Sequence, residues 1–362
     1  MRASILGMGE WRPETVRENS AWPAEFASHA AASAQRELAD VPSGSPSDVY
    51  DAIVGRHLAT EEGDAFLGTT RRRVAEEPMT ACEAEASAAR AALADACVDP
   101  ADIDVVLSWA AVPDRPTPPS APRVAHLVGA KKAFGVGIDV ACASTIAQLL
   151  TAAALIEAGR AQLVLITGSH LMTRAFPTMH PASPSVGDAA TAIVVGATEH
   201  AGILAAFAAS HGEYYDAVAW RRAKDADTPW YQAGGPMYVG SYDREGVARL
   251  VKDTVRFGAE TVVEAARRSG VAVGELRAIA SVQPRRWVPA AIAEALGRPA
   301  AIAPQTFDEL AHLGGCGVVT NLLEARRQGL LQSDANGRPA TACLYAQGAG
   351  FTRAAMIVRF GS

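Results

Sequence analysis

The run Gly135-Val136-Gly137-Ile138-Asp139-Val140-Ala141-Cys142-Ala143-Ser144, continued by Thr145-Ile146-Ala147-Gln148-Leu149-Leu150, decides how this chain is read. It begins as a short apolar strand and turns at Cys142 into an apolar helix expected to reach about Gly159. A cysteine at that junction stands at the positive end of a helix dipole, which predicts a thiol that ionises more easily than an ordinary one. Free cysteines are also common apolar fillers, so this stretch alone leaves a nucleophile and a packing residue both open.

Working outward, the pattern repeats. An Ala-rich helix near 82–97 leads through Val98-Asp99-Pro100 to an apolar strand from Ile103 to Ala110, and a helix near 245–269 leads through Gly270-Val271-Ala272 to an apolar run from Leu276 to Gln283. The Cys142 helix and the strand Leu163-Val164-Leu165-Ile166 have counterparts in the helix after Gly317 and the strand Ala342-Cys343-Leu344-Tyr345. Both halves close on a Gly-containing turn and a β-rich run, from Gly187 to Val195 and from Gly348 to Phe360. This implies a duplicated α/β unit with halves at 1–199 and 200–362. An Ala- and Ser-rich insertion near 17–66, with a Pro-Ser-Gly-Ser-Pro turn at 42–46, interrupts the first half, either shaping an acceptor pocket or decorating the surface.

In such a duplication the equivalent helices meet at the pseudo-twofold axis with their N-termini close together. One start carries Cys142, and the other follows Leu310-Ala311-His312-Leu313-Gly314-Gly315-Cys316-Gly317, so His312 is expected to face the cysteine. Thiol with imidazole is the constellation of acyl-thioester chemistry.

Composition sets the limits. With 362 residues, 49% hydrophobic and 20% charged, the chain buries a large core. No apolar stretch approaches the roughly 20 residues that span a bilayer, and Glu10, Arg12 and Glu14 deny the N-terminus a secretory h-region, so a cytoplasmic location is expected. Cysteines at 82, 97, 142, 316 and 343 form no C-x-x-C pair and suggest neither a zinc site nor a disulfide framework. The net charge of −6 argues against a nucleic-acid binder despite the clusters Arg71-Arg72-Arg73, Lys131-Lys132 and Arg285-Arg286.

Taken in chain order, the motifs resemble the thiolase superfamily, and within it β-ketoacyl-ACP synthase III, over nearly the whole chain. The matching segments are Ile5 to Glu14, Gly68-Thr69-Thr70-Arg71-Arg72-Arg73, Pro113 to Ala130, Cys142 seventeen residues before Gly159, Gly187-Asp188, and Gly348-Ala349-Gly350-Phe351-Thr352. The resemblance implies a duplicated five-layer αβαβα thiolase-like fold, a homodimer joined through the central sheet, and no permanently bound cofactor. The donor it implies is a phosphopantetheine thioester, carried by acyl carrier protein or CoA. The sequence departs from the family where its condensing enzymes carry a His-Gln-Ala-Asn box, here Val282-Gln283-Pro284-Arg285, and where their Gly-Asn box puts asparagine, here His312. Decarboxylative condensation needs two donors on the developing enolate oxygen, so with no second imidazole in view it is disfavoured.

The arrangement is similar to the ketosynthase III-like acyltransferases of antibiotic pathways, which carry a His-Leu-Gly motif and acylate a sugar, cyclitol or amine. That resemblance implies an acyltransferase with Cys142 and His312 as the catalytic pair and the backbone N–H groups of Cys142 and Ala349 as the oxyanion hole. Arg71, Arg72, Arg73, Arg285 and Arg286 would meet the donor or its carrier protein, and His180 and Gln283 would line the substrate pocket. A condensing synthase, a thioesterase and a non-catalytic partner subunit stand as alternatives. His126 and His170 read as core or boundary residues, Asp188 as a turn holder, and no acidic partner for His312 can be placed in the residues that follow it.

Overall fold

The computed structural model describes residues 2–30, 48–199, 202–222 and 228–361. Its strands are β1 (Arg2–Trp11), β2 (Val16–Glu18), β3 (Arg71–Arg73), β4 (Val105–Ala110), β5 (Phe134–Gly137), β6 (Leu163–Leu171) and β7 (Asp188–Thr198), then β8 (Gly202–Ser210), β9 (Ala219–Arg222), β10 (Met237–Gly240), β11 (Ala278–Ser281), β12 (Ala340–Gly348) and β13 (Thr352–Phe360). The helices are α1 (Val49–Glu61), α2 (Ala81–Ala96), α3 (Ala121–Val128), α4 (Ser144–Glu157), α5 (Arg244–Ser269), α6 (Val288–Ala295), α7 (Phe307–Leu310) and α8 (Cys316–Arg327).

Each half supplies one mixed sheet. The first has the order β1-β7-β6-β4-β5 and the second β11-β12-β13-β8, so that β8, β13, β12 and β11 occupy the places of β1, β7, β6 and β4. β5, the edge strand beside β4, has no counterpart in the second sheet. β6 and β7 are buried along almost their whole length because helices cover both faces of the sheet, which is why they read as continuous apolar runs without alternation.

α4 and α8 fill the space between the sheets. One apolar cluster joins Ile146, Leu149 and Ala152 of α4, Val318 and Leu322 of α8, Leu107 and Ile166 of the first sheet, and Leu344 and Met356 of the second. A helix packed on both sides has no solvent face, which explains the missing polar stripe in α4. The outer layers are α2 and α3 against the first sheet, and α1, α5 and α6 against the second. α2 starts on a capping box in which Thr80 and Glu83 satisfy each other's backbone donors, and its tight fit needs Gly7 and Gly9 on β1. The result is the duplicated αβαβα stack.

The insertion is built partly from β2, which pairs antiparallel with β3, and from α1, capped by Asp48 and packed on α5 and α6. Trp22 and Phe26 pack with Phe66 and Met179, tying its start to the 176–180 loop. The turn at 42–46 lies outside the described residues. No helix among the described residues is long and apolar enough to cross a membrane.

Candidate active site

The turn between β5 and α4 is held by side chains rather than by a regular element. Asp139 Oδ1 accepts from the Ala141 N–H at 2.8 Å and from Trp109 Nε1 at 2.9 Å, while Ser144 Oγ accepts from the Val140 N–H at 2.8 Å and donates to the Ala141 carbonyl at 2.7 Å. Ala141 is forced to φ 47°, a strained value for a residue with a Cβ. Cys142 follows, two residues before the helix begins at Ser144.

His312 arrives by a similar device. After α7, Ala311 takes φ 58°, and the His312 backbone is then clamped between Ser185, whose carbonyl accepts its N–H at 2.9 Å, and Gly187, whose N–H donates to its carbonyl at 3.1 Å. Its Nδ1–H donates to the Gln283 carbonyl at 2.9 Å, just beyond the end of β11, which leaves Nε2 as an acceptor. Nε2 lies 3.5 Å from Cys142 Sγ. Thr145 Oγ1 donates to the Gly315 carbonyl at 2.8 Å, locking the starts of the two central helices together.

Both groups retain some accessible surface. Burial, helped by the charge of Asp139, nevertheless pushes the Cys142 thiol up to about 12, and burial holds His312 down to about 4. The expectation of an easily ionised thiol is therefore corrected. Its own backbone N–H favours the thiolate, but desolvation at this depth outweighs that help. These shifts favour a resting pair in which an uncharged S–H faces the acceptor nitrogen of an uncharged imidazole.

The partner on the far side of His312 is a backbone carbonyl and not an acid, which makes Cys142 and His312 a dyad. His170, buried as expected of a core or boundary residue, stands beside the pair. Its ring centroid is 5.5 Å from that of His312, edge to face. Gly348 also borders Cys142, since a Cβ there would fall 2.9 Å from the Cys142 nitrogen and 3.1 Å from that of Ala143. Ala349 begins the turn that follows, in which Gly350 takes φ 79°.

The other expected site residues fare unevenly. Gln283 reaches the site only through its carbonyl. Its amide is spent on Pro304 at 2.9 Å and Thr306 at 3.2 Å, so the side chain does not line a pocket. His180 lies among rings, 4.9 Å from Phe176 and 5.0 Å from Tyr238 by centroid, and its Nδ1 accepts from the Ala182 N–H. Arg72 is wholly buried, stacked on Trp22 at 4.4 Å and donating to Pro184, Arg17 and Asn19, so it cannot meet a carrier protein. Arg73 donates to the carbonyls of Pro13 and Glu14. Arg71 pairs with Glu309, Arg285 with Glu61 at 3.7 Å, and Arg286 with both oxygens of Asp308 at 2.6 and 3.1 Å. His126 is exposed, and Asp188 braces distant segments, accepting from Ala75 and Thr173.

Trp109, Asp139, His170 and Gly348 were not picked out as site residues. Asp139, three positions before the cysteine, and Gly314, whose Cβ would strike both Trp109 and His170, carried the local signal.

The profile of 3-oxoacyl-[acyl-carrier-protein] synthase III matches residues 137–212, and that of its C-terminal part matches residues 266–360. A β-ketoacyl-[acyl-carrier-protein] synthase III of Vibrio vulnificus is 29% identical over 300 residues, covering 82% of this chain and 89% of its own. One from Vibrio parahaemolyticus is 27% identical and covers 99% of this chain and 100% of its own. Among solved structures, the 3-oxoacyl-(acyl carrier protein) synthase III of Pseudomonas aeruginosa superposes with a TM-score of 0.78 at 23% identity, covering 100% of this chain and 99% of that one. With the nucleophile segment, the C-terminal segment and the stacked αβαβα fold all in agreement, the chain belongs to the thiolase superfamily as a ketosynthase III-like, acyl-transferring enzyme.

Proposed function

We propose that the chain moves an acyl group from an acyl-carrier-protein or CoA thioester, by way of Cys142, to a hydroxyl or amine of a small polar natural product. The observation that carries this reading is the tautomer of the dyad: Nδ1–H of His312 is committed to the Gln283 carbonyl, so the nitrogen facing Cys142 is a base and not a donor. In the first half-reaction the thiol proton passes to Nε2, sulfur attacks the donor carbonyl, and the departing pantetheine thiolate takes that proton back. In the second, Nε2 takes a proton from the acceptor, oxygen or nitrogen bonds to the acyl carbon, and the Cys142 sulfur leaves and is reprotonated. The N–H groups of Cys142 and Ala349 would hold the oxyanion in both.

The condensing alternative draws on the names of the curated relatives, which are β-ketoacyl synthases. It requires proton donors around an enolate, and Val282, buried among apolar neighbours, offers none. An enzyme acylated at Cys142 and then given a malonyl thioester or a small amine separates the two. Ester or amide product without release of carbon dioxide supports the transferase. Release of carbon dioxide at a comparable rate contradicts it.

Donor contact falls to Arg71, Arg285 and Arg286, whose side chains stay accessible beside their carboxylate partners. A second copy would pair along β5, the free edge of the first sheet, where Phe134 is 70% exposed.

A further inference from the structure

His170 has no task in the dyad, yet its surroundings are built for it. It sits at the end of β6, 4% exposed, with Nδ1–H donating to the Gly187 carbonyl at 2.8 Å. The N–H of that same Gly187 donates to the His312 carbonyl, so one residue sets both imidazoles. The Cδ2–Nε2 edge of the His170 ring lies against Gly314, where a Cβ would come within 2.5 Å of Cδ2 and 3.1 Å of Nε2, and where φ is 53°. Only glycine leaves the ring this room.

With Nδ1 carrying the proton, Nε2 of His170 bears a lone pair, and among the described residues it makes no hydrogen bond. Of these two imidazoles, His312 takes the Cys142 thiol at Nε2, whereas Nε2 of His170 takes no donor among the described residues.

We propose that His170 binds the acyl acceptor: its Nε2 takes a hydrogen bond from a hydroxyl or amine of the incoming molecule and holds it beside His312 and the acyl-cysteine. This rests on the reading that Cys142 carries the acyl group. It narrows the acceptor to molecules with a protic donor, an amine or a polyol, because a carboxylate would meet lone pairs on both rings. Burial and the neighbouring His312 keep His170 uncharged, down to about 3, so it acts as an acceptor and not as a cation.

The test separates the two half-reactions. Wild type, His170→Asn and His170→Gln are acylated with p-nitrophenyl acetate, and transfer to hydroxylamine is followed as hydroxamate formed. The asparagine amide keeps the donor to Gly187 but has nothing where Nε2 stood, whereas the glutamine oxygen reaches that place. The expected result is acylation within about twofold of wild type in both variants, transfer about tenfold slower in His170→Asn with a raised KM for hydroxylamine, and partial recovery in His170→Gln. Transfer by His170→Asn at the wild-type rate, or equal loss of acylation and transfer in both variants, overturns the proposal. A wild-type enzyme that takes no acetyl group on Cys142 overturns the parent reading and this one with it.

Discussion

At the residue scale burial governs the dyad, pushing the Cys142 thiol up and holding His312 down, which favours an uncharged pair at rest. The helix start favours a thiolate, but that is a local effect, and the depth of burial that opposes it is set by two sheets drawn from different halves of the chain. No sequence window contains it. That the buried His170 lies beside His312 was not legible for a related reason: residues of a buried strand look alike in sequence whether or not they border the dyad. For the pH dependence, His312 serves as base only while neutral, and its pKa is lowered to about 4, so the rate of Cys142 acylation falls as pH drops through about 4 and not near 6.5. The groups facing it are His170, itself neutral to about 3, and the thiol, at about 12, so no alkaline loss is expected below pH 9. Stopped-flow acylation across pH 3.5–9 checks this, and a limb near 6.5 would contradict it. Stability follows the same sign. Both imidazoles bind fewer protons folded than unfolded, so their contribution is complete above 6.5 and declines as pH falls toward 4 and then 3.

At the element scale, the apolar runs and their order located nearly every strand and helix of the two sheets, because buried strands and a buried helix must be apolar whatever else they do. The pair β9-β10 and the make-up of the insertion were not legible, since four-residue strands are too short to show a period. The central turn offers a contrast between packing and positioning. Leu149→Ala, in the middle of α4, removes core contacts and should cost about 2–5 kcal/mol of stability while leaving the dyad in place. Gly348→Ala pushes a Cβ onto three backbone atoms around Cys142, so it should cost only about 1–3 kcal/mol yet slow acylation more than tenfold. Denaturation midpoints and burst rates for the two variants decide it, and a Gly348→Ala enzyme acylating at the wild-type rate would contradict the assigned geometry.

At the scale of the whole molecule, the duplication assembles the candidate site. Cys142 and His312 are 170 residues apart and meet because equivalent helices of the two halves start side by side, joined by Thr145 and Gly315. The repeat of helix, strand and glycine turn made this encounter predictable. The backbone carbonyl that orients His312 was not, because a carbonyl at position 283 has no signature in the side-chain sequence. Strain at Ala141 and Ala311, one residue before each reacting group, is the local cost of that meeting, about 1–3 kcal/mol apiece, sustained by the rigid stack around it. Arg72, one of the arginines expected at the donor entrance, was misjudged on the same principle, since it is consumed by the insertion packing over it.

The central claim, that acyl transfer passes through the sulfur of Cys142, is tested most directly by intact-protein mass spectrometry after mixing with an acyl thioester. The wild type should gain one acyl mass that maps to Cys142, and Cys142→Ala should gain none. A stably acylated Cys142→Ala protein would contradict the account.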